Sequence, residues 1–190
     1  MMKQLRPALM ILIIFAVITG VIYPTLITGL AQLIFPHQAN GSLIVQNGQI
    51  VGSELIGQQF DAPKYFWGRL SATTNEAYNA SASGGSNYSV LNPALQKQVE
   101  ARLAALKAAD PENVLPVPVD LVTASGSGLD PDISVEAAAY QAARVAKARG
   151  LSLDQVNALI QENTRNRILG FLGEKTVNVL ELNLALDKIQ

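Results

Sequence analysis

Few residues in this chain have side chains suited to catalysis. It contains one histidine, His37, and no cysteine, and a zinc site needs several His, Cys or carboxylate ligands. A Ser-His-Asp triad would need His37 in its active site, whereas His37 directly follows a long apolar segment. The Gly-x-Ser-x-Gly turn of α/β-hydrolases is absent. The sequence therefore predicts no catalytic residue and no metal ligand.

One glycine-rich segment has the composition of an anion-binding turn. It consists of Ser125, Gly126, Ser127 and Gly128. A helix is predicted to begin after Ser134, and the free N–H groups and dipole at a helix N-terminus favour phosphate or carboxylate. Three carboxylates crowd the same entrance: Asp130, Asp132 and Glu136. An anion site and a plain helix-entry turn both remain open.

Gln141 lies about two turns into that predicted helix, where its amide could hydrogen-bond a nucleotide base. A packing or solvent role is the alternative. Together with residues 125–128, Gln141 forms the predicted nucleotide-binding set. Residues 170–176 resemble a P-loop only superficially. Glu174 separates the glycine from Lys175, and its charge would repel phosphate where the motif needs free backbone N–H groups. Arg69 is expected to pair with a carboxylate, within the chain or across an interface.

The element that positions everything else is an N-terminal apolar segment. Residues 7–35 carry no charge, and a bilayer core of about 30 Å needs roughly 20 apolar residues in a helix. Lys3 and Arg6 precede this segment, and the next lysine or arginine is Lys64. Because positive charge stays on the cytoplasmic side, we predict a cytoplasmic segment 1–6, a transmembrane helix 7–35 and an extracytoplasmic domain 36–190.

A cleaved signal peptide is the competing interpretation of the same segment. Basic residues, an apolar stretch and the small-x-small sequence Gly29-Leu30-Ala31 follow in the right order. The apolar stretch is longer than the usual 7–15 residues, which favours an anchor. The chain would otherwise be a secreted periplasmic ligand-binding protein. Pro24, with Gly20 and Gly29, predicts a kink.

The membrane-proximal part of the domain is predicted to be β-rich. Asn47-Gly48 between two apolar runs predicts a hairpin, because both turn residues need positive φ. Residues 54–60 and 65–70 are expected to form a further strand or short turns around an aromatic cluster at Trp67. Residues 71–89 are rich in Ser, Asn, Ala and Gly and predict a long loop.

The distal part is predicted to be helical. Helices are expected from Pro93 to just before Asp110, from just after Ser134 to about Ala148 with Gly150 ending it, and from the capping box Ser152/Gln155 to about Glu162. We further expect a short strand over 121–124, a short helix over 165–172 and, in preference to a strand, a helix over 177–189. The fold class is thus a single transmembrane helix plus an α+β domain, and a division into two subdomains near 110–120 stays open.

Composition excludes one class of partner. Fourteen Lys and Arg residues stand against fifteen Asp and Glu, which gives a formal net charge of −1. A nucleic-acid-binding face needs a basic excess, so no nucleic-acid partner is predicted.

Several strings resemble the C-subunit family of the bacterial Kdp-type potassium-transporting P-type ATPase, and the resemblance covers nearly the whole chain. They begin with Ala39-Asn40-Gly41-Ser42-Leu43-Ile44 and continue over residues 52–58, 83–87, 120–131, 144–146 and 182–187. No single string is decisive, but their order and spacing are specific. Leu70 departs from the pattern, because proline is more often expected there.

The resemblance implies a non-catalytic accessory subunit in the bacterial inner membrane. Its partners would be the channel-like A subunit, the ATP-hydrolysing B subunit, the small F subunit and the lipid bilayer. It would support assembly and raise the ATP affinity of the B subunit, with no cofactor of its own and ATP reached only through the complex. An outward-facing domain cannot touch cytoplasmic ATP, so we expect an allosteric effect or a role in potassium entry at the A subunit.

The mature N-terminus distinguishes the anchor from the signal peptide. We expect the chain purified from membranes to begin at Met1, because the apolar stretch is long enough to remain in the bilayer. Intact-mass spectrometry measures this directly. A mature chain beginning at Gln32 would show cleavage after Ala31 and contradict the anchored topology.

Overall fold

The computed structural model describes residues 2–189, without the side chains of Met2 and Lys3. Met1 and Gln190 lie outside the described residues, so the predicted segment 1–6 is described only in part. The chain divides into two compact units, one ending at Ile50 and the other beginning at Val51. Each unit is described separately below.

The first unit is dominated by one continuous helical stretch. Its helices are α1 (Met2–Val17), a π-helical segment (Ile18–Ile22), α2 (Tyr23–Ile34) and the short α3 (Pro36–Ala39). The helix Gln4–Ile34 is long and apolar enough to cross a membrane, and its most apolar 18 residues have a mean hydropathy of 2.5. Pro24 lacks the N–H that would bond to the carbonyl of Gly20, and the π-helical segment lies at that place.

The predicted hairpin is confirmed. Strands β1 (Leu43–Gln46) and β2 (Gln49–Ser53) pair around Asn47 and Gly48, whose φ values are +50° and +77°. Residues 54–60 and 65–70 form turns and irregular backbone. The loop over 71–89 is also confirmed, apart from one turn of 3₁₀-helix, Ala80–Ala82.

The second unit is a mixed helix and sheet domain, which confirms the predicted fold class. Its helices are α4 (Pro93–Ala109), α5 (Val119–Val122), α6 (Val135–Arg149), α7 (Leu153–Glu162) and α8 (Val179–Leu186). Its sheet contains β3 (Asp132–Ser134), β4 (Thr164–Arg165) and β5 (Thr176–Asn178). Strand β5 lies at the centre and pairs antiparallel with both others, so that Val177 faces Ile133 on one side and Thr164 on the other.

Local capping residues begin the helices where the sequence predicts. The Asn92 side chain accepts a hydrogen bond from the Ala94 N–H at the start of α4. The Ser134 hydroxyl accepts one from the Ala137 N–H at the start of α6. Ser152 and Gln155 form the complete capping box of α7. Each side chain satisfies an N–H group that the first helical turn leaves unpaired.

The core of the second unit is built on α6. Its inward face includes small residues with almost no exposure, among them Ala137, Ala138 and Ala142. Because these side chains are short, neighbouring elements approach the α6 backbone closely. The large core side chains around them are Phe66, Leu121, Ile133, Val156, Val177, Leu182 and Leu186.

Two short elements differ from the prediction. The strand expected over 121–124 is the single helical turn α5, which follows Pro118 and is closed by the Thr123 N–H donating to the Val119 carbonyl. Only Ala124 retains strand character, in a parallel bridge to Leu70.

The helix expected over 165–172 is also wrong. Arg165 belongs to β4, and the chain then reverses in a tight turn in which Leu169 and Gly170 have φ values of +54° and +82°. Positive φ at two successive residues is incompatible with a right-handed helix. The predicted C-terminal helix is confirmed as α8, preceded by β5.

Gly150 offers a test of this backbone. It ends α6 in the left-handed region at φ +68°, and no atom would lie within 4 Å of an added Cβ. Gly150→Ala therefore adds backbone strain without a clash, and we expect a loss of about 1 kcal/mol in the free energy of unfolding. Denaturant unfolding of the purified full chain in detergent measures it.

Gly126→Ala is the matched control. An added Cβ at Gly126 also meets no atom within 4 Å, but its φ lies outside the left-handed region. Equal unfolding free energies for the two variants would contradict the strain argument.

Candidate functional site

An irregular segment runs through the core of the second unit. Phe66 is fully buried and Trp67 is 6% exposed, yet neither residue belongs to a helix or a strand. Buried N–H and C=O groups need partners, because leaving them without hydrogen bonds is costly. The partners come from side chains of two helices.

Two buried amide side chains hold these two consecutive residues. Asn183 of α8 accepts a hydrogen bond from the Phe66 N–H at 2.8 Å and donates one to the Phe66 carbonyl at 3.0 Å. Gln141 of α6 accepts one from the Trp67 N–H at 2.9 Å and donates one to the Trp67 carbonyl at 3.1 Å. Each amide thus supplies the donor and acceptor that a neighbouring strand would supply in a sheet.

Gln141, the predicted nucleotide contact, is 1% exposed. Besides its two bonds to Trp67, its Nε2 donates to the Ala137 carbonyl at 3.2 Å, and its Oε1 accepts from Arg144 at 2.7 Å. The two amide hydrogens and both oxygen lone pairs are therefore used inside the protein. The nucleotide contact stays a prediction, and it would require these bonds to open.

Two arginines lie close to the Trp67 ring. The guanidinium carbons of Arg144 and Arg102 lie 4.7 Å and 5.1 Å from its centre, within the range of cation–π attraction. Arg102 donates to the carbonyls of Leu121 and Gly68 at 3.0 and 2.8 Å. Burial lowers the pKa of Arg102, because a low-dielectric surrounding disfavours the charged form.

Arg144 ties the irregular segment to α6. It donates to the carbonyls of Pro63 and Tyr65 and to the Gln141 amide oxygen. Burial lowers the pKa of Arg144 to about 10, against an opposing effect of the Asp110 charge. The side chain remains charged at neutral pH and donates mainly to carbonyl oxygens.

The glycine-rich segment 125–128 is bound to the long loop. The Ser127 carbonyl accepts hydrogen bonds from the Gly84 N–H at 2.8 Å and the Ser83 hydroxyl at 3.0 Å. The Ser71 hydroxyl donates to the Gly128 carbonyl at 2.7 Å. Gly128 has φ +69°, and an added Cβ would lie 2.6 Å from the Gly84 oxygen. Its glycine is therefore explained by turn geometry and close packing.

The structure does not join this segment directly to the start of α6. Strand β3 intervenes, and the Asp120 carboxylate accepts a hydrogen bond from the Ser134 N–H at 2.8 Å. An internal carboxylate thus lies at the helix N-terminus, where an anion would bind. Ser125 is buried with a hydroxyl that has no partner, whereas Gly126 and Ser127 are exposed. A nucleotide role for these residues also stays a prediction.

The predicted partner of Arg69 is found within the chain. Its guanidinium lies 3.0 Å from the Asp130 carboxylate, and both side chains are partly buried. The Tyr78 hydroxyl donates to the Arg69 carbonyl at 2.7 Å. Burial raises the pKa of Tyr78 to about 12, so this hydroxyl remains a hydrogen-bond donor at neutral pH.

Sequence reasoning missed Asn183, Arg102 and Arg144. A usable signal existed for Asn183, since it is a lone amide among Leu182, Leu184 and Leu186 in an otherwise apolar stretch. The two arginines carry no comparable signal. In this arrangement the buried and partly buried side chains of Asn183, Gln141, Arg102 and Arg144 form hydrogen bonds to backbone groups at and around Trp67.

Gln141→Met tests the amide clamp. The change keeps the length of the side chain but removes the hydrogen-bond partner of the Trp67 N–H, of the Trp67 carbonyl and of one Arg144 N–H group. Each unpaired buried group costs roughly 1–3 kcal/mol. We expect a loss of about 2–5 kcal/mol in unfolding free energy. Trp67 is the only tryptophan, so its fluorescence during denaturant unfolding reports on this site.

The control is Gln161→Met, which replaces an exposed glutamine near the end of α7. It should change stability by less than about 0.5 kcal/mol. Equal effects of the two substitutions would show that the Gln141 bonds contribute nothing specific.

Comparisons with known proteins identify the family of this chain. The family model described as "KdpC: K+-transporting ATPase, c chain" matches residues 5–188. A potassium-transporting ATPase KdpC subunit from Herpetosiphon aurantiacus is 66% identical, over 97% of this chain and 96% of that protein. Those from Methylococcus capsulatus and Burkholderia ambifaria are 60% and 59% identical over the whole of this chain, and over 100% and 98% of their own lengths. The chain therefore belongs to the KdpC family, the c chain of potassium-transporting ATPases.

Proposed function

We propose that this chain is a non-catalytic accessory subunit that stabilises the assembly of a potassium-transporting ATPase. Its relatives are named as subunits of such an ATPase, and a subunit works beside other chains. The partners are the channel-like A subunit, the ATP-hydrolysing B subunit and the F subunit. The chain has no cofactor of its own and meets ATP only through the complex.

The chain is anchored once in the bacterial inner membrane. The helix Gln4–Ile34 is the span, and the basic residues Lys3 and Arg6 before it hold the N-terminus in the cytoplasm. The second unit is then periplasmic. This topology separates the folded domain from the cytoplasmic ATP that the B subunit hydrolyses.

The main observation behind the proposal is that the Gln141 side chain is buried and fully hydrogen-bonded inside the domain. This side chain is 1% exposed and makes four hydrogen bonds inside the domain. A direct nucleotide contact would break the bonds that hold Trp67 in place. Any increase in the ATP affinity of the B subunit is therefore allosteric, and the domain acts through its surface, at the A subunit and its potassium entrance.

Cysteine labelling tests the topology without removing any native residue, because the chain contains no cysteine. Val114→Cys places a thiol at a position that is 94% exposed in the second unit. We expect a membrane-impermeant maleimide to label it in right-side-out vesicles and not in inside-out vesicles. Gln4→Cys, in the predicted cytoplasmic segment, should give the opposite pattern.

The two outcomes separate two mechanisms. Labelling of Val114→Cys only from the outside would exclude direct contact with cytoplasmic ATP and leave allosteric support. Labelling only in inside-out vesicles would overturn the orientation, and direct nucleotide binding at Gln141 would become the leading mechanism.

A further inference from the structure

A small apolar hairpin projects from the second unit. Its tip, residues 168–172, exposes four large apolar side chains: Ile168, Leu169, Phe171 and Leu172. Leu169 is 79% and Phe171 69% exposed. Single exposed apolar side chains are common on protein surfaces, but a contiguous group of them marks an interaction site.

The hairpin is held in one conformation by its own bonds. Ile168 and Leu172 exchange both backbone hydrogen bonds, at 2.9 and 3.0 Å. At its base, an ion pair joins Arg167 to Glu174 at 2.6 Å. The apolar side chains are therefore presented on an ordered turn.

Leu169 carries backbone strain that the domain itself does not use. At φ +54° it lies in the left-handed region, followed by Gly170 at +82°. Positive φ at both central residues is the requirement of a type I′ turn, which strongly favours Asn, Asp or Gly at the first position. A leucine there is strained relative to the right-handed region, and its side chain, 79% exposed, gains little from packing in the folded domain.

The β1–β2 hairpin of the same chain has a turn of similar φ values with residues that suit it. Asn47 and Gly48 have φ values of +50° and +77°, nearly those of Leu169 and Gly170. One turn therefore carries the residue pair that its geometry favours, and the other carries an apolar side chain in place of the favoured asparagine. Nothing within the folded domain explains the leucine at this position.

We propose that the 168–172 hairpin is a knob that inserts into an apolar pocket on another subunit of the potassium-transporting ATPase. This inference rests on the proposed function, because it needs an assembly in which the chain is one of several subunits. Four apolar side chains at one tip form a compact cluster, and binding at protein interfaces is carried mainly by a few clustered, desolvated residues. A turn already held in its bound conformation loses less entropy on docking.

A protein pocket fits the observations better than a lipid surface does. A fluid bilayer would stabilise the same four side chains in any turn conformation, so it gives no reason to keep the strain at Leu169. A rigid pocket contacts the four side chains well only when the turn holds each of them in one orientation. The Phe171 and Leu172 N–H groups are also bonded within the turn, to the Ile168 carbonyl, so recognition falls to the side chains.

Leu169→Asn tests the knob, because it separates stability from assembly. Asparagine suits the left-handed turn, so the unfolding midpoint of the chain should stay the same or rise. The apolar anchor is lost, so recovery of the chain with affinity-tagged partner subunits from solubilised membranes should fall about tenfold. A purely structural role for Leu169 would leave recovery unchanged, and that result would overturn the proposal.

Val114→Asn is the matched control, since it removes an exposed apolar side chain elsewhere on the domain. Equal losses of recovery for Val114→Asn and Leu169→Asn would also overturn the proposal. If the wild-type chain itself is not recovered with the partner subunits, the proposed function fails. If the wild type and Leu169→Asn are recovered equally, the hairpin inference alone fails.

A second variant distinguishes a subunit from the bilayer. Phe171→Cys should react with a water-soluble maleimide when the chain alone is reconstituted in lipid vesicles. It should be protected when the whole complex is reconstituted. Protection in vesicles that hold only this chain would show that lipid covers the hairpin and would overturn the proposal.

Discussion

The second unit depends on burying a stretch of backbone that forms no regular structure. Phe66 and Trp67 are buried without helical or strand partners, and each unpaired buried amide group would cost roughly 1–3 kcal/mol. Asn183 and Gln141 remove that cost by bonding both the N–H and the C=O of one residue each. The two clamps connect α6 and α8 through the segment between them, so the positions of both helices depend on the same two residues.

The charges around Trp67 follow from this arrangement. Irregular backbone leaves carbonyl oxygens without the hydrogen bonds that a helix or a sheet would supply. One arginine side chain can donate to several of these oxygens at once. Arg144 reaches two such carbonyls, and Arg102 reaches the Gly68 carbonyl and also that of Leu121 in α5. Burial lowers the pKa of both guanidinium groups, and the aromatic ring and the carbonyl dipoles offset part of that penalty. These inward-facing charges therefore have a structural explanation that needs no ligand.

The sequence predicts the parts of this fold whose causes are local. Asn47-Gly48, Asn92 and the Ser152/Gln155 box act within two or three residues, and the structure has each of them as predicted. The three-stranded sheet was missed because its strands are two or three residues long and pair across distant positions. The clamps join residues 74 and 117 positions apart, and no local pattern encodes such contacts. For that reason Gln141 could be singled out from the sequence while its partner could not.

One short element connects the clamped core to the apolar hairpin. Asn178, fully buried in β5, accepts a hydrogen bond from the Glu181 N–H and so begins α8. One turn of α8 carries both Glu181, which pairs with Arg165 of β4 at 3.0 Å, and Asn183, which holds Phe66. The strands that flank the hairpin, β4 and β5, are thus bonded to the helix that clamps the core. These contacts join the base of the hairpin to the helix that holds Phe66. A tip presented on a fixed base loses less entropy when it docks. The same helix α8 therefore links the buried polar side chains that hold the core backbone to the strands that carry the exposed apolar hairpin.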